Sequence, residues 1–335
     1  MKWRMGMRSI KFKVFILSVL LTGMAACSAP SDFQEKEYVK IGIMLSDVGL
    51  GDQSFSDAAF QGVMQARDEL NILFSYKELT ETGTYQQGLT ELVDEGHDII
   101  IGLGFLVQED LEKVATNYPE QQFLLIDEVS ELDNVTSLIF KEHEGSFLAG
   151  IVAGLKTNTD QIGFIGGGDF PLIHKFAAGF KQGVKAVNPN AEVMIEYAND
   201  FGDALLGANI AQTMIEDGAD FIYPAAGFTG VGALTEAEKH GVYGIGVDTD
   251  QFFIAENAVV TSMLKNIDVA IYQAIELLIE DGELNEKVIE LGLSEDGVGL
   301  AEIRLQTLTA MEKEQLDSFT EQVMNGTLTV ESTLN

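Results

Sequence analysis

The sequence predicts an α/β protein built from two doubly wound units, each with a parallel sheet. In this chain of 335 residues, short apolar segments rich in β-branched residues alternate with longer segments of helical periodicity. That alternation favours parallel strands whose right-handed crossovers place helices on both faces of a sheet. The alternation starts again at residue 162, and the length suits two domains of ordinary size rather than one.

The first unit opens with a strand, a glycine turn and a helix. The apolar run Val39–Leu45 is short enough to be a buried strand, and Gly49 and Gly51 allow a tight turn after it. Ser54 or Ser56 would cap the helix that follows, whose apolar residues recur at helical spacing.

This turn would lie where ligands bind, because open α/β sheets bind them at the carboxyl ends of their strands. The turn and the start of the helix hold two acids and a phenylalanine: Asp47, Phe55 and Asp57. A helix N-terminus also favours acids through its dipole, so the alternative for Asp57 is a purely structural role.

The remaining segments complete the two units. In the first unit we expect strands at 72–76, 98–103 and 122–126, helices at 85–95 and 107–117, and an edge strand at 135–140. A helix at 144–155, whose small residues would allow close packing, leads to the second unit. There we expect strands at 162–165, 192–197, 221–224 and 244–247 and helices at 176–187, 205–217 and 232–239. A long amphipathic helix at 263–281, short segments at 287–292 and 297–300 and an acidic helix at 310–325 close the chain.

The N-terminal segment has the pattern of a secretory signal peptide. Residues 1–26 contain basic residues and no acid, an apolar run at 14–21 and two alanines before Cys27. The stretch LTGMAAC resembles a bacterial lipobox, in which the cysteine becomes the lipidated first residue, although Met24 stands where an aliphatic residue is usual. Residues 27–37 would then be a tether. The alternative is a transmembrane anchor, but the apolar run is shorter than the roughly 20 residues that a span needs.

Charge and missing motifs exclude several functions. With 20 basic and 53 acidic residues, the formal charge of −33 repels phosphate backbones, so we expect no nucleic-acid partner. The single cysteine excludes an internal disulfide and a thiolate metal cluster, and the histidines lack ligand spacing. The glycine cluster at 163–169 does not match G-x-G-x-x-G, and neither a Walker lysine nor a G-x-S-x-G elbow is present. We therefore expect no metal, no cofactor and no catalysis.

Acids, glycines and aromatic residues recur at the predicted strand ends of both units: Asp47, Phe55, Asp127, Asn199, Phe201, Gly227, Gly230 and Asp248. A cleft between two lobes would gather them. Carboxylates accept hydrogen bonds from hydroxyl and ring N–H groups, and phenyl faces stack on flat rings. A neutral, hydroxylated, partly aromatic ligand would suit such a cleft. For each acid taken alone, a cap or turn role is the alternative.

Five motifs follow one another along the chain: GLGDQSFSD, EGSFLAG, GFIGGGDFPLIHKFAAGFKQG, AAGFTGVG and YGIGVDTDQ. They resemble signatures of the basic membrane protein family of solute-binding lipoproteins, which includes purine nucleoside receptors, and the resemblance covers residues 39–265 in the expected order. It implies a type I periplasmic-binding-protein fold, with two lobes joined by three crossing segments. On that basis lobe 1 would comprise residues 38–142 and 262–284, and lobe 2 would comprise residues 143–261 and 285–335.

The same resemblance implies a set of ligand-binding residues: Asp47, Ser54, Phe55, Asp57, Asp127, Phe201, Gly227, Gly230, Asp248 and Lys265. Phe55 and Phe201 would sandwich a base, and Asp127 would accept hydrogen bonds from the edge of that base. Asp248, with Lys265 nearby, would hold ribose hydroxyls. The family commonly has asparagine where this chain has Ser56.

The family resemblance and the N-terminal pattern together imply a substrate-binding lipoprotein of an ABC importer, lipid-anchored through Cys27 on the extracytoplasmic face of a bacterial membrane. It would close over a purine nucleoside, work with permease subunits, be a monomer and have no enzymatic activity. Two alternatives stay open. One is a surface lipoprotein that senses another small solute. The other is a nucleoside-processing enzyme, for which the sequence offers no nucleophile, metal or phosphate site.

Overall fold

The computed structural model describes residues 38–334. The predicted signal peptide, the tether and the lipidation site Cys27 lie outside the described residues. From residue 38 to residue 334, no helix combines the length and the apolar character that crossing a membrane requires.

Twelve strands are present in this range. In chain order they are β1 Lys40–Met44, β2 Leu73–Lys77, β3 Ile99–Leu103, β4 Gln122–Ile126, β5 Val135–Phe140, β6 Gln161–Gly166, β7 Glu192–Tyr197, β8 Phe221–Ala225, β9 Tyr243–Asp248, β10 Val259–Lys265, β11 Val288–Leu291 and β12 Val298–Leu300. They form two six-stranded sheets, ordered β11-β5-β4-β3-β1-β2 and β12-β10-β9-β8-β6-β7. All pairs are parallel except β10 with β12, which are antiparallel.

Helices cover both faces of the sheets. The α-helices are α1 Phe55–Leu70, α2 Leu79–Thr82, α3 Tyr85–Asp94, α4 Gln108–Asn117, α5 Glu142–Lys156, α6 Pro171–Val187, α7 Ala204–Glu216, α8 Gly227–His240, α9 Ile267–Asp281 and α10 Ala310–Met324. Short 3₁₀ helices occupy Phe105–Val107 and Gln251–Ile254. Because both faces are covered, the central strands read as continuous apolar runs, and every residue of β3 is buried.

Helices α5 and α6 pack unusually closely, as the small residues of the 144–155 segment predict. A Cβ atom placed on Gly150 would collide with the carbonyl oxygen of Phe180, and one on Gly179 would collide with that of His143. These glycines therefore let the two helix backbones touch. The contact anchors α5, whose first residue lies beside the cleft described below.

The predicted fold class is confirmed, but the structure corrects three elements. The segment 263–281 is not one helix, since β10 runs to Lys265 and α9 begins at Ile267. The strand at 135–140 is not at an edge, because β11 pairs with it on its outer side. The strand β12 runs antiparallel, so the second sheet is mixed.

The chain passes between the two sheets at three places. The first lies between β5 and α5, the second is Asn266 between β10 and α9, and the third lies between β11 and β12. Helix α9 packs on α1 of the first half. The sheets thus place 262–265 with the second half and 288–291 with the first, whereas the boundaries predicted above assign them the other way round. The reason is that β11 pairs with β5, a segment far from it in the chain, and no local sequence pattern encodes which strands pair.

Candidate ligand-binding cleft

A cleft lies at the carboxyl ends of strands from both sheets. The atom-free space within it, counted together with the part open to solvent, is about 670 Å³. Its acidic and aromatic lining residues are Asp47, Asp52, Phe55, Phe105, Asp127, Phe176, Phe201 and Asp248. Lys265, Ser46, Gly104, Gly227 and several aliphatic residues complete the wall.

The turn after β1 is held by Asp52, which the sequence reading did not single out. Its carboxylate accepts hydrogen bonds from the backbone N–H groups of Ser54, Ser56 and Asp57, at 3.0, 2.7 and 3.1 Å. Asp52 therefore caps α1, and the prediction that a serine side chain does so is wrong. Burial raises the pKa of Asp52 to about 6, although its amide hydrogen bonds oppose that shift.

Both serines of this turn have other partners. The Ser54 hydroxyl donates to Oδ2 of Asp248, which joins the two halves of the protein across the cleft. The Ser56 hydroxyl, fully buried, shares a hydrogen bond of 2.6 Å with the hydroxyl of Ser46, a lining residue. Ser56 thus acts on the cleft through Ser46.

Asp57 points into the turn. Its carboxylate oxygens accept from the backbone N–H groups of Gly51 and Gln53, at 2.8 and 3.0 Å. Gly51 has a φ of 94°, a left-handed conformation that glycine adopts without strain. Asp57 does not line the cleft, so its geometry favours the structural alternative raised for it above.

Lys265, at the end of β10, is the centre of a buried charged cluster. Its ammonium donates to both carboxylate oxygens of Asp127, at 2.6 and 2.7 Å, and lies 3.2 Å from Oε1 of Glu142. Burial alone would lower the pKa of Lys265, but the carboxylates of Asp127, Glu142 and Asp248 outweigh it and raise that pKa, so the ammonium stays charged. Burial raises the pKa of Asp127 to about 6, against the pull of Lys265.

Three phenyl rings surround the same ammonium. Its nitrogen lies 4.9, 5.1 and 5.9 Å from the ring centroids of Phe140, Phe55 and Phe176. At such distances the electron-rich ring faces attract the cation. The cluster therefore joins an aromatic wall of the cleft to its acids.

Two of the strand-end acids have strained backbones. Asp127 and Asp248 adopt φ values of 74° and 64°, in the left-handed region that side chains other than glycine rarely occupy. Each such residue costs on the order of 1–3 kcal/mol and persists where the surrounding structure holds it, most often at functional sites. Burial also raises the pKa values of Asp248 and Asp47.

The aromatic residues meet across the cleft. Phe105, which follows β3 of the first sheet, lies 4.9 Å from the ring of Phe170 and 6.3 Å from that of Phe201 between centroids. Both partners follow strands of the second sheet. The glycine cluster after β6 accommodates these rings, since a Cβ atom on Gly167 would overlap Phe201 and one on Gly168 would overlap Phe170.

Of the ten predicted ligand-binding residues, the structure gathers seven on the cleft wall: Asp47, Phe55, Asp127, Phe201, Gly227, Asp248 and Lys265. Ser54, Asp57 and Gly230 lie outside the wall. A Cβ atom on Gly230 would approach the ring of Pro224 to 3.2 Å, so this glycine allows α8 to pack on β8. Lys265, expected to assist Asp248, hydrogen-bonds Asp127 instead.

Four acidic or aromatic residues at or beside the cleft are absent from the predicted set: Asp52, Phe105, Glu142 and Phe176. Phe105 had a usable signal, because it follows Gly104 at a predicted strand end. Asp52 lies in the same turn as the acids that were chosen. Phe176 and Glu142 carry no comparable signal, since one lies within α6 and the other opens α5.

Two α/β lobes around an acid-rich and phenyl-rich cleft define a two-lobed solute-binding protein. The structure is similar to a solved ABC transporter solute-binding protein from Aeropyrum pernix, with a TM-score of 0.80, 26% identity, and coverage of 89% of this chain and 94% of that one.

The chain belongs to the Bmp family of PnrA-like ABC transporter substrate-binding proteins, whose family model matches residues 39–333. A CD4+ T-cell-stimulating antigen of Listeria monocytogenes is 33% identical over 88% of this chain and 91% of the relative. A protein of Lactococcus lactis named ABC transporter nucleoside-binding protein BmpA is 29% identical over 89% and 90%. These findings confirm the resemblance seen in the motifs. The family consists of substrate-binding proteins rather than enzymes, and its class implies ABC permease partners.

Proposed function

We propose that this protein binds a purine nucleoside in the cleft and delivers it to the permease of an ABC importer. The observation that carries the proposal is that acids and phenyl rings line the same cleft. The lysine on its wall, Lys265, already has two carboxylate neighbours, Asp127 and Glu142. The nucleoside-binding name of the Lactococcus lactis relative supports the same ligand class.

The rings suit a flat base. Phe55 and Phe201 line the cleft from opposite halves of the protein, and Phe105 lies against Phe201. Offset or edge-to-face contacts with such rings contribute about 0.5–1.5 kcal/mol each beyond the area they bury. Phe55 and Phe201 would hold the base between them, as the family resemblance implies.

The acids suit hydroxyl and ring N–H donors. Asp47, Asp127 and Asp248 offer acceptor oxygens, and Asp127 would meet the base edge while Asp248 would meet ribose hydroxyls. A phosphate would add negative charge beside Asp127 and Asp248, which are buried, and bringing like charges together away from water is costly. Lys265 offers little compensation because Asp127 and Glu142 already neutralise it. Nucleosides should therefore bind and nucleotides should be rejected.

The anchoring part of the proposal rests on the sequence pattern around Cys27, which lies outside the described residues. Lipidation at Cys27 would hold the protein, as a monomer, at the extracytoplasmic face of a bacterial membrane. There the bound nucleoside could pass directly to the permease subunits.

Calorimetric titration of the purified protein tests the ligand. The panel is adenosine, guanosine, inosine, their monophosphates, the free bases and ribose, followed by chromatography of the recovered ligand. We expect tight binding of at least one nucleoside, at least a hundredfold weaker binding of its monophosphate, and no conversion of the ligand. Tighter binding of monophosphates, or turnover of a nucleoside, would overturn the proposal.

A further inference from the structure

Glu142 is a buried acid that the ligand assignment above does not use. It is the first residue of α5, at the first passage between the sheets, and it is 0% exposed. Its Oε2 atom accepts a hydrogen bond of 3.3 Å from Nζ of Lys175, on α6. Its Oε1 atom lies 3.2 Å from Nζ of Lys265 but has no hydrogen bond, although it is fully buried.

The position of Glu142 matters because of how Lys265 is bonded. The Lys265 ammonium donates two of its three N–H groups to the two oxygens of Asp127. A ligand donor that binds Asp127 uses the remaining lone pairs of the same oxygens and therefore weakens their attraction for the ammonium. A buried ammonium that loses part of its counter-ion is costly unless another carboxylate stands ready.

We infer that Glu142 is a positioning residue that takes up the Lys265 ammonium when a ligand engages Asp127. The free Oε1 atom is the acceptor for that exchange. This inference rests on the proposed role of Asp127 as a ligand acceptor.

The surroundings of Glu142 favour such an exchange over a fixed salt bridge. Lys265 ends β10 at the second passage between the sheets, and Asp127 follows β4 of the first sheet. The neighbouring groups are less suited to this role: Oδ2 of Asp248 already accepts from Ser54, and burial lowers the pKa of His143 to about 4, so that ring carries no charge. Lys175 holds the other oxygen of Glu142 in place from the side of α6.

The test combines ligand affinity with a ligand-free measurement. Glu142→Gln keeps the shape and removes the charge. Glu142→Asp keeps the charge and serves if the glutamine variant does not fold. The matched control is Lys156→Met, which breaks the partly buried pair with Glu312 at the other end of α5, far along the helix from the cleft.

We expect Glu142→Gln to weaken binding of the nucleoside selected by the panel about tenfold, and Glu142→Asp to weaken it less. Lys156→Met should lower the melting temperature and leave affinity within about twofold. Wild-type affinity in folded Glu142→Gln, or in Glu142→Asp where only that variant folds, would overturn the inference.

The ligand-free measurement is a carboxyl-carbon NMR titration of Asp127. Its midpoint should fall in Glu142→Gln, because a neighbouring negative charge is removed while Lys265 remains. An unchanged midpoint would show that Glu142 is not coupled to the Asp127–Lys265 pair, and that result would overturn the inference. If the wild-type protein binds no nucleoside, the proposed function fails and the ligand-driven exchange fails with it, whereas nucleoside binding that is unaffected in Glu142→Gln overturns the exchange alone.

Discussion

Two groups of acids lie at the same edge of the first sheet and are satisfied in different ways. Asp52 and Asp57 accept hydrogen bonds from backbone amides of the turn that carries them. Asp127 and Glu142 face the ammonium groups of Lys265 and Lys175 instead. An acid bonded to its own turn cannot be released without unfolding that turn, whereas an acid bonded to an ammonium can exchange a partner for a ligand. The first pair therefore shapes the cleft, and the second pair is available to act in it.

The largest expected effect comes from removing the shared ammonium. Lys265→Met leaves buried carboxylates without a counter-ion, and we expect the free energy of unfolding to fall by about 3–5 kcal/mol. Urea denaturation measures this free energy of unfolding. The control is Lys113→Met, whose ammonium forms exposed pairs with Glu109 and Asp110 and should change stability by less than about 1 kcal/mol. A small loss in Lys265→Met would mean that the acids around it are neutral at pH 7.

A matched pair of acids separates the two groups directly. If Asp127 accepts from the ligand, Asp127→Ala should cost roughly 1.5–3 kcal/mol of binding, a tenfold to hundredfold loss of affinity. Asp57→Ala should cost about 1 kcal/mol of stability and little affinity, because its amide partners lie in the turn. Calorimetry and thermal unfolding of both variants give the comparison. Equal affinity losses would restore Asp57 to the ligand-binding residues.

Substitution of Phe201, whose ring would stack on the base, should have a smaller effect on nucleoside affinity. Phe201→Ala removes a ring face and should weaken nucleoside binding by about 1–2 kcal/mol, whereas Phe201→Tyr keeps the ring and should lose less than half of that. If Phe201 only filled the core, the alanine variant would lose stability while its folded fraction bound normally. Affinity corrected for the folded fraction distinguishes the two.

The last expected effect is on the pH dependence of stability, to which Asp52 contributes. Its pKa is about 6 in the folded protein against 3.8 as the reference value, so the folded state takes up the proton first. The stability that this group contributes is complete below pH 3.8 and is lost as the pH rises through 6. Between pH 4 and 7, the free energy of unfolding of Asp52→Asn should therefore depend less steeply on pH than that of the wild type. Asp47, Asp127 and Asp248 contribute to this pH dependence with the same sign in both proteins. If the pH dependence of stability were unchanged in Asp52→Asn, the backbone amides rather than burial would determine the pKa of Asp52.

Much of the fold was readable because its signals are local. The β-branched runs marked strands such as β3 and β4, and the small residues of α5 marked a close helix contact. The merged helix at 263–281 was wrong because the apolar pattern of β10 continues into α9 with only Asn266 between them. The place of β11 beside β5 is a pairing between distant segments, and no local pattern encodes it.

The sequence predicted most of the positions that line the candidate site, but not the hydrogen-bond partners of the side chains there. Strand ends and motifs marked most of the cleft residues, because parallel strands bring their carboxyl ends to one edge. Which acid meets an amide and which meets an ammonium depends on side-chain geometry within a few tenths of an ångström. For that reason Asp52 rather than Ser54 caps α1, and Lys265 lies on Asp127.

The order in which the chain visits its two sheets has a consequence for its synthesis. The first sheet acquires its strand β11, and α1 its packing partner α9, only after β6–β10 of the second sheet have been made. A chain released before residue 267 would hold most of the first sheet and still lack both pieces. Because domains fold as units, completion of the first lobe must wait until nearly the whole chain has emerged.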